Sequence, residues 1–163
     1  QWFVSHWWGE PVSDFVRCLT QHRKDRCLPA RTPYWVCAYA NNQWQLDGDV
    51  SVDPAISSFR RAMSLAHGTV SVVDAEAVCF TRIWCSYEIY ISLTPAVAGL
   101  DEQRYLYDIY TSDQSCAAAV GFTDGPAAVD LEQGKSQQWL HRGGAYGHKA
   151  HREKAFPLEV AAR

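Results

Sequence analysis

The residues best suited to chemistry lie in the run Thr81-Arg-Ile-Trp84-Cys85-Ser-Tyr-Glu88-Ile-Tyr-Ile-Ser-Leu93. Trp84 and Glu88 are four apart, so on a helix they share one face. One well-placed carboxylate can stabilise a developing positive charge. A carboxylate and an indole on one face, near the start of a helix that follows a central strand, are an odd choice for packing alone. The plainer alternative is a first-turn Glu favoured by the helix dipole, with Trp84 filling the core. Cys85 is three residues from Glu88, but nothing in the sequence points to a lowered pKa, and packing accounts for it.

These residues need a frame. Trp2 to Ser5 is a short apolar run and reads as a buried strand, followed by the loop HWWGEP. Pro11 suits a helix start, and Val12, Phe15, Val16 and Leu19 recur at helical spacing up to the charged run 23–26. Tyr34 to Tyr39, YWVCAY, predicts a second strand running into a long polar loop, Asn41 to Asp53. Pro54 opens a second helix with Ile56, Phe59, Met63 and Ala66 on one stripe and Gly68 as its cap. Thr69 to Val73 predicts a central parallel strand, Asp74 to Thr81 a loop, and Arg82 to Leu93 a third helix. Arg104 to Tyr110 predicts a fourth strand, Ala117 to Val120 reads as helix or strand, and 122–126 as a turn. The alternation predicts an α/β fold, a three-layer parallel sheet with helices on both faces.

In such a sheet, ligands collect beyond the carboxyl ends of the strands. That selects four loops: Ser5, His6, Trp7, Trp8, Gly9 and Glu10; Asn41, Asn42, Gln43 and Trp44; Asp74 and Glu76; and Thr111, Ser112 and Asp113. Indoles, amides and carboxylates suit a polar ligand with an aromatic ring, although loops are polar in any case.

Composition narrows the field. The 163 residues are 47% hydrophobic and 20% charged, which excludes a disordered or collagen-like chain. A net charge of −3 argues against a nucleic-acid partner. The uncharged stretch Ile89 to Leu100 is too short to span a bilayer and holds a Pro and a Gly. No signal peptide is expected. The first residue is Gln and the only Met is Met63, so a piece of a longer protein is expected. The six cysteines form no CxxC pair and are expected to be reduced, with Cys18, Cys37 and Cys85 acting as small buried hydrophobes. Residues 126–163 carry six basic and four acidic side chains and are treated as a separate basic, Gly-containing tail or linker beyond a domain of residues 1–125. His141, His148 and His151 in that tail are expected to be solvated, so no metal site is expected. Gly143, Gly144 and Gly147 follow no convincing strand and read as flexible linker. Arg60, Arg61 and the run 23–26 are expected to be solvated faces or domain contacts. No GxGxxG or P-loop pattern supports a redox use of a dinucleotide.

The run Trp84-Cys85-x-x-Glu88 resembles the WCxxE signature of Toll/interleukin-1 receptor (TIR) domains, especially the plant and bacterial type. Phe3-Val4-Ser5-His6 resembles the first box of that family, and loop 41–53 sits where its mobile loop follows the second strand. The order of elements agrees over roughly residues 2–122. The first box departs in having His6-Trp7-Trp8 where an aromatic and basic pair is common, and the second-strand loop has Asn41-Asn42-Gln43 in place of an Asp-rich start.

The resemblance implies a flavodoxin-like, cytoplasmic signalling domain and, in many members, cleavage of NAD, as substrate and not as cofactor, at the nicotinamide–ribose bond, by hydrolysis or cyclisation. It implies Glu88 as the catalytic residue and Trp84 as a wall of the nicotinamide and ribose pocket. Ser5, His6 and Trp7, with Asn41 and Trp44, are the accompanying substrate-binding candidates. Nicotinamide in NAD is already cationic and leaves unprotonated, so the enzyme must stabilise an oxocarbenium-like ribosyl cation. An indole face attracts the pyridinium, worth ~1–2 kcal/mol when desolvated. The same family includes non-catalytic scaffolds that act by homotypic assembly, and assembly often completes the active site. A nucleotide-binding module of flavodoxin-like form is a third reading.

Overall fold

The structure is a computed structural model that describes residues 1–41, 44, 53–100, 105–113 and 118–122. Five strands form one sheet: β1 (Trp2–His6), β2 (Tyr34–Val36), β3 (Gly68–Val73), β4 (Leu106–Asp113) and β5 (Ala118–Phe122), in the order β2-β1-β3-β4-β5. β1 pairs in parallel with β2 and β3, and β3 with β4. β5 runs antiparallel to β4, so the sheet is mostly parallel, with one reversed edge strand. The helices are α1 (Val12–Asp25), α2 (Cys37–Ala40), α3 (Ser58–Ser64) and α4 (Ile83–Leu93).

Alternation along the strands sorts the core into two layers. Val4, Val70, Val72 and Tyr110 pack with Phe15 and Cys18 of α1. Phe3 packs with Phe59, Ala62 and Met63 of α3 and Ile91 of α4. Helices thus cover both faces. Every residue of β3 is buried, as a strand covered on both sides requires. Beneath the carboxyl end of β3, Val73 packs with Ala77, Cys79 and Cys85.

Several expectations are corrected. YWVCAY is strand only to Val36, where its three-residue pairing with β1 ends at Val4, and the chain turns into α2. Pro54 opens a single 3-10 turn to Ile56, not the helix itself. α3 starts after Ser57, whose hydroxyl accepts the Arg60 N–H at 3.2 Å as an N-cap. Gly68 does not cap that helix but begins β3. A Cβ there would lie 2.3 Å from the Leu106 carbonyl oxygen, so the close approach of β4 demands glycine. The Asp74–Thr81 loop contains a 3-10 turn, Val78–Thr81.

β4 runs on to Asp113 because β3 pairs with it as far as Val73↔Thr111 and β5 continues the ladder. Thr111, Ser112 and Asp113 are therefore strand, not loop, and Phe122 ends β5 instead of opening a turn. On α1 the buried stripe is Asp14, Phe15, Cys18 and His22, whereas Val12 and Val16 are exposed. Arg26 and Asp25 are not a solvated face. The Arg26 guanidinium donates to both Asp108 oxygens at 2.8 and 2.6 Å, and Asp25 accepts from the Tyr110 hydroxyl at 2.8 Å.

No disulfide joins Cys18, Cys27, Cys37, Cys79 and Cys85, and all but Cys27 are buried. Among the described residues no helix is long and apolar enough to cross a membrane. The tail 126–163, with its histidines and glycines, lies outside the described residues, as do Asn42 and Gln43.

Candidate functional site

β1 and β3 are the strands from which the chain departs in opposite directions across the sheet, β1 toward β2 and β3 toward β4. Their carboxyl ends therefore open the crevice where α/β sheets bind ligands. Among the described residues, two clefts flank it.

The first is lined by His6 and Trp8 from the end of β1, Phe59 of α3, Arg82, and Trp84 and Glu88 of α4. Its free volume is about 60 Å³. Trp84 and Glu88, one helical turn apart, do face the same cleft. Glu88 lies in the second turn of α4, so the first-turn dipole explanation does not apply. Trp84 stacks on Phe59 with centroids 5.5 Å apart and meets Tyr87 edge-on, so part of the indole is committed to packing.

Glu88 is 4% exposed. Burial pushes its carboxyl up to about 8, and the Ser5 hydroxyl and the Arg82 charge offset part of the rise. Ser5 points to the α4 side of β1 like Phe3, two residues before it. Its hydroxyl lies beside the Glu88 carboxyl without reaching full hydrogen-bond geometry, and Ser5 Oγ has no hydrogen-bond partner of its own among the described residues. The Cys85 thiol lies in the same place, pushed up to about 11 by burial and by Glu88, so it is no thiolate nucleophile. His6 packs against Phe15 at 4.7 Å and is held down to about 4 by burial and by Arg82, hence neutral at pH 7.

Of the residues expected from sequence, the structure brings together Glu88, Trp84 and His6, with Ser5 against the carboxyl. Trp7, Asn41 and Trp44 do not line this cleft. Asn41 is buried and its amide donates to Cys37 Sγ at 3.2 Å. Trp44 is 94% exposed. Sequence reasoning missed Arg82, although it stands two residues before Trp84, and read Phe59 only as part of a core stripe. Trp8, in the selected first loop, also lines the cleft.

Trp7 lines the second cleft, of about 190 Å³, with Glu10, Asp14, Asp74, Glu76 and Ser112. Trp7 rests on Gly9, where a Cβ would strike the indole at 2.2 Å, so Gly9 sets where that ring lies. The two neighbouring indoles of the β1 loop thus serve different clefts. Among the described residues no group of three His, Cys, Asp or Glu side chains is arranged to hold a metal ion directly. Comparison with protein-family models, with curated proteins and with solved structures finds no match to this chain.

Proposed function

We propose that this chain is a TIR-like domain of flavodoxin-like arrangement that cleaves NAD at the nicotinamide–ribose bond, with Glu88 as the catalytic carboxylate. The observation that carries the reading is the shared cleft of Trp84 and Glu88, a buried carboxyl next to an indole at the carboxyl end of a parallel sheet. In the reaction the C1′–N1 bond breaks and its electron pair neutralises the pyridinium. The ribosyl cation that remains faces Glu88, and water adds at C1′ and gives up a proton. In the free protein Glu88 holds its proton to about pH 8. A pyridinium within a few ångströms favours the ionised form, so substrate itself charges the catalyst.

A volume of about 60 Å³ is far below the roughly 300 Å³ at which small-molecule pockets begin. Catalysis therefore requires the cleft to widen, and Trp8, half exposed on the β1 loop, and the exposed Arg82 are its walls least held by packing. The same narrowness favours a second reading, a non-catalytic scaffold that acts by homotypic assembly. That reading is supported by the exposed Ile83, Tyr90 and Leu93 on α4.

The deciding experiment is nicotinamide release by the chain at high protein concentration, beside Glu88→Gln. The expected result is a fall of at least ~10²-fold in the variant, the scale of losing one transition-state electrostatic partner. Activity that survives the substitution rules out the mechanism. Absence of release in both, with concentration-dependent association, leaves the scaffold.

A further inference from the structure

Four acidic side chains from three elements line the second cleft. Glu10 follows β1, Asp14 opens α1, and Asp74 and Glu76 follow β3, with the Ser112 hydroxyl at the end of β4. Glu10 is only 8% exposed, yet its Oε2 has no hydrogen-bond partner among the described residues. Asp74 Oδ2 and Ser112 Oγ are likewise buried without partners among them. A carboxylate that is neither hydrated nor bonded is costly, and in folded proteins such oxygens are met by a partner, a proton or an ion.

Burial, and after it the like charges of Asp74 and Asp14, push the Glu10 carboxyl up to about 8. Among the described residues the cation bonded to this group of acids is Arg17, on Asp14. Even without a charge on Glu10, the carboxylates of Asp14, Asp74 and Glu76 against one guanidinium leave an excess of two negative charges around one small volume.

We propose that this crevice is a binding site for a hydrated divalent cation, with Glu10 and Asp74 as its principal carboxylates and Ser112 as a neutral oxygen partner. A doubly charged ion matches the excess of acid better than a single ammonium. The acidic groups are not gathered tightly enough to coordinate a bare ion. Magnesium characteristically keeps several waters and is held through one or two carboxylates. About 190 Å³ has room for such an ion with several waters, each ~30 Å³. Asp74 is already oriented, because its Oδ1 accepts the Val78 N–H at 2.8 Å, which leaves Oδ2 for the ion.

Mn²⁺ is the probe, followed by loss of its free-ion paramagnetic resonance signal on titration with the full chain. One ion per chain is expected, displaced by Mg²⁺ and by hexaamminecobalt(III), a mimic of the hydrated ion. Glu10→Gln and Asp74→Asn should each weaken binding by ~10–100-fold. Both variants remove charge and keep shape, and in Asp74→Asn the side-chain amide oxygen still accepts the Val78 N–H, so both should fold. Glu88→Gln, in the neighbouring cleft, should bind as the parent does. No binding of Mn²⁺, or binding that neither acidic variant weakens, overturns the site. Failure of the ammine complex to compete overturns its water-mediated form.

Discussion

Glu88 combines two demands that pull against each other. A carboxyl must be buried to act strongly on a ribosyl cation, yet burial keeps it protonated until about pH 8. The consequence for catalysis is a pH limb. The dependence of kcat/KM reports the free protein, so it should rise about tenfold per pH unit up to about 8 and then level. A profile flat from pH 5 to 9 removes Glu88 from the rate. The consequence for folding has a definite sign. The unfolded chain releases this proton near the ordinary value of 4.5, while the folded one retains it to about 8. In that window the folded state binds more protons, so its stability falls as pH rises, by up to ~1.4 kcal/mol per unit for one proton. Glu88→Gln should flatten that part of the stability–pH curve measured by urea unfolding. The pair Trp84 and Glu88 was legible in the sequence because helical spacing fixes a shared face. The burial of Ser5 and the approach of Arg82 were not, because both depend on how β1 and α4 meet.

Among the elements, α1 shows what sequence patterning misses. Its buried stripe carries Asp14 and His22, polar residues that no hydrophobic pattern selects. His22 is fully buried and bonds Tyr34 at 2.7 Å and Asp108 at 3.0 Å, and Asp108 also takes both donors of Arg26. The arrangement ties the end of α1 to β2 and β4, and it converts a run that reads as solvated into part of the core. Asp108→Ala would leave a buried guanidinium without its carboxylate, which should cost ~3–5 kcal/mol in denaturant unfolding. A loss below ~1 kcal/mol means that solvent already screens the pair.

The end of the same helix carries a smaller strain. Cys27 has φ 51° and follows the helix as the left-handed residue of a Schellman turn. In that turn the Leu28 N–H donates to Arg23 O at 2.9 Å and the Cys27 N–H to Lys24 O at 3.0 Å. Glycine is the natural occupant, so Cys27→Gly should raise stability by ~1 kcal/mol, read as a higher thermal midpoint. A lower midpoint shows that the side chain contributes more than the strain costs. The strands β1 and β3 were legible because both are apolar runs of strand length bounded by breakers. The short β2 was not, since its pairing partner, and not its aromatic content, sets where it stops.

At the scale of the molecule, the order of strands and the two helical layers place the carboxyl ends of β1 and β3 side by side, and both clefts follow from that. The α/β alternation in the sequence was enough to anticipate this. The reversal of β5 was not, because Ala117 to Val120 has neither period. What the fold leaves outside is the apolar side of α4. Ile83 is 82% exposed and lies two turns from Tyr90 on the same side of the helix, next to Trp84 in sequence. A side chain so exposed contributes little to folding, so Ile83→Lys should change unfolding free energy by no more than ~0.5 kcal/mol. If this side is where copies of the chain meet, the same substitution should abolish the concentration dependence of the sedimentation coefficient. Nicotinamide release at high protein concentration should fall with it if assembly is what opens the cleft beside Glu88. Unchanged sedimentation in a folded variant means that α4 is not the contact. Lost association with full activity means that the cleft opens within a single chain, and Trp8 is then the residue to follow.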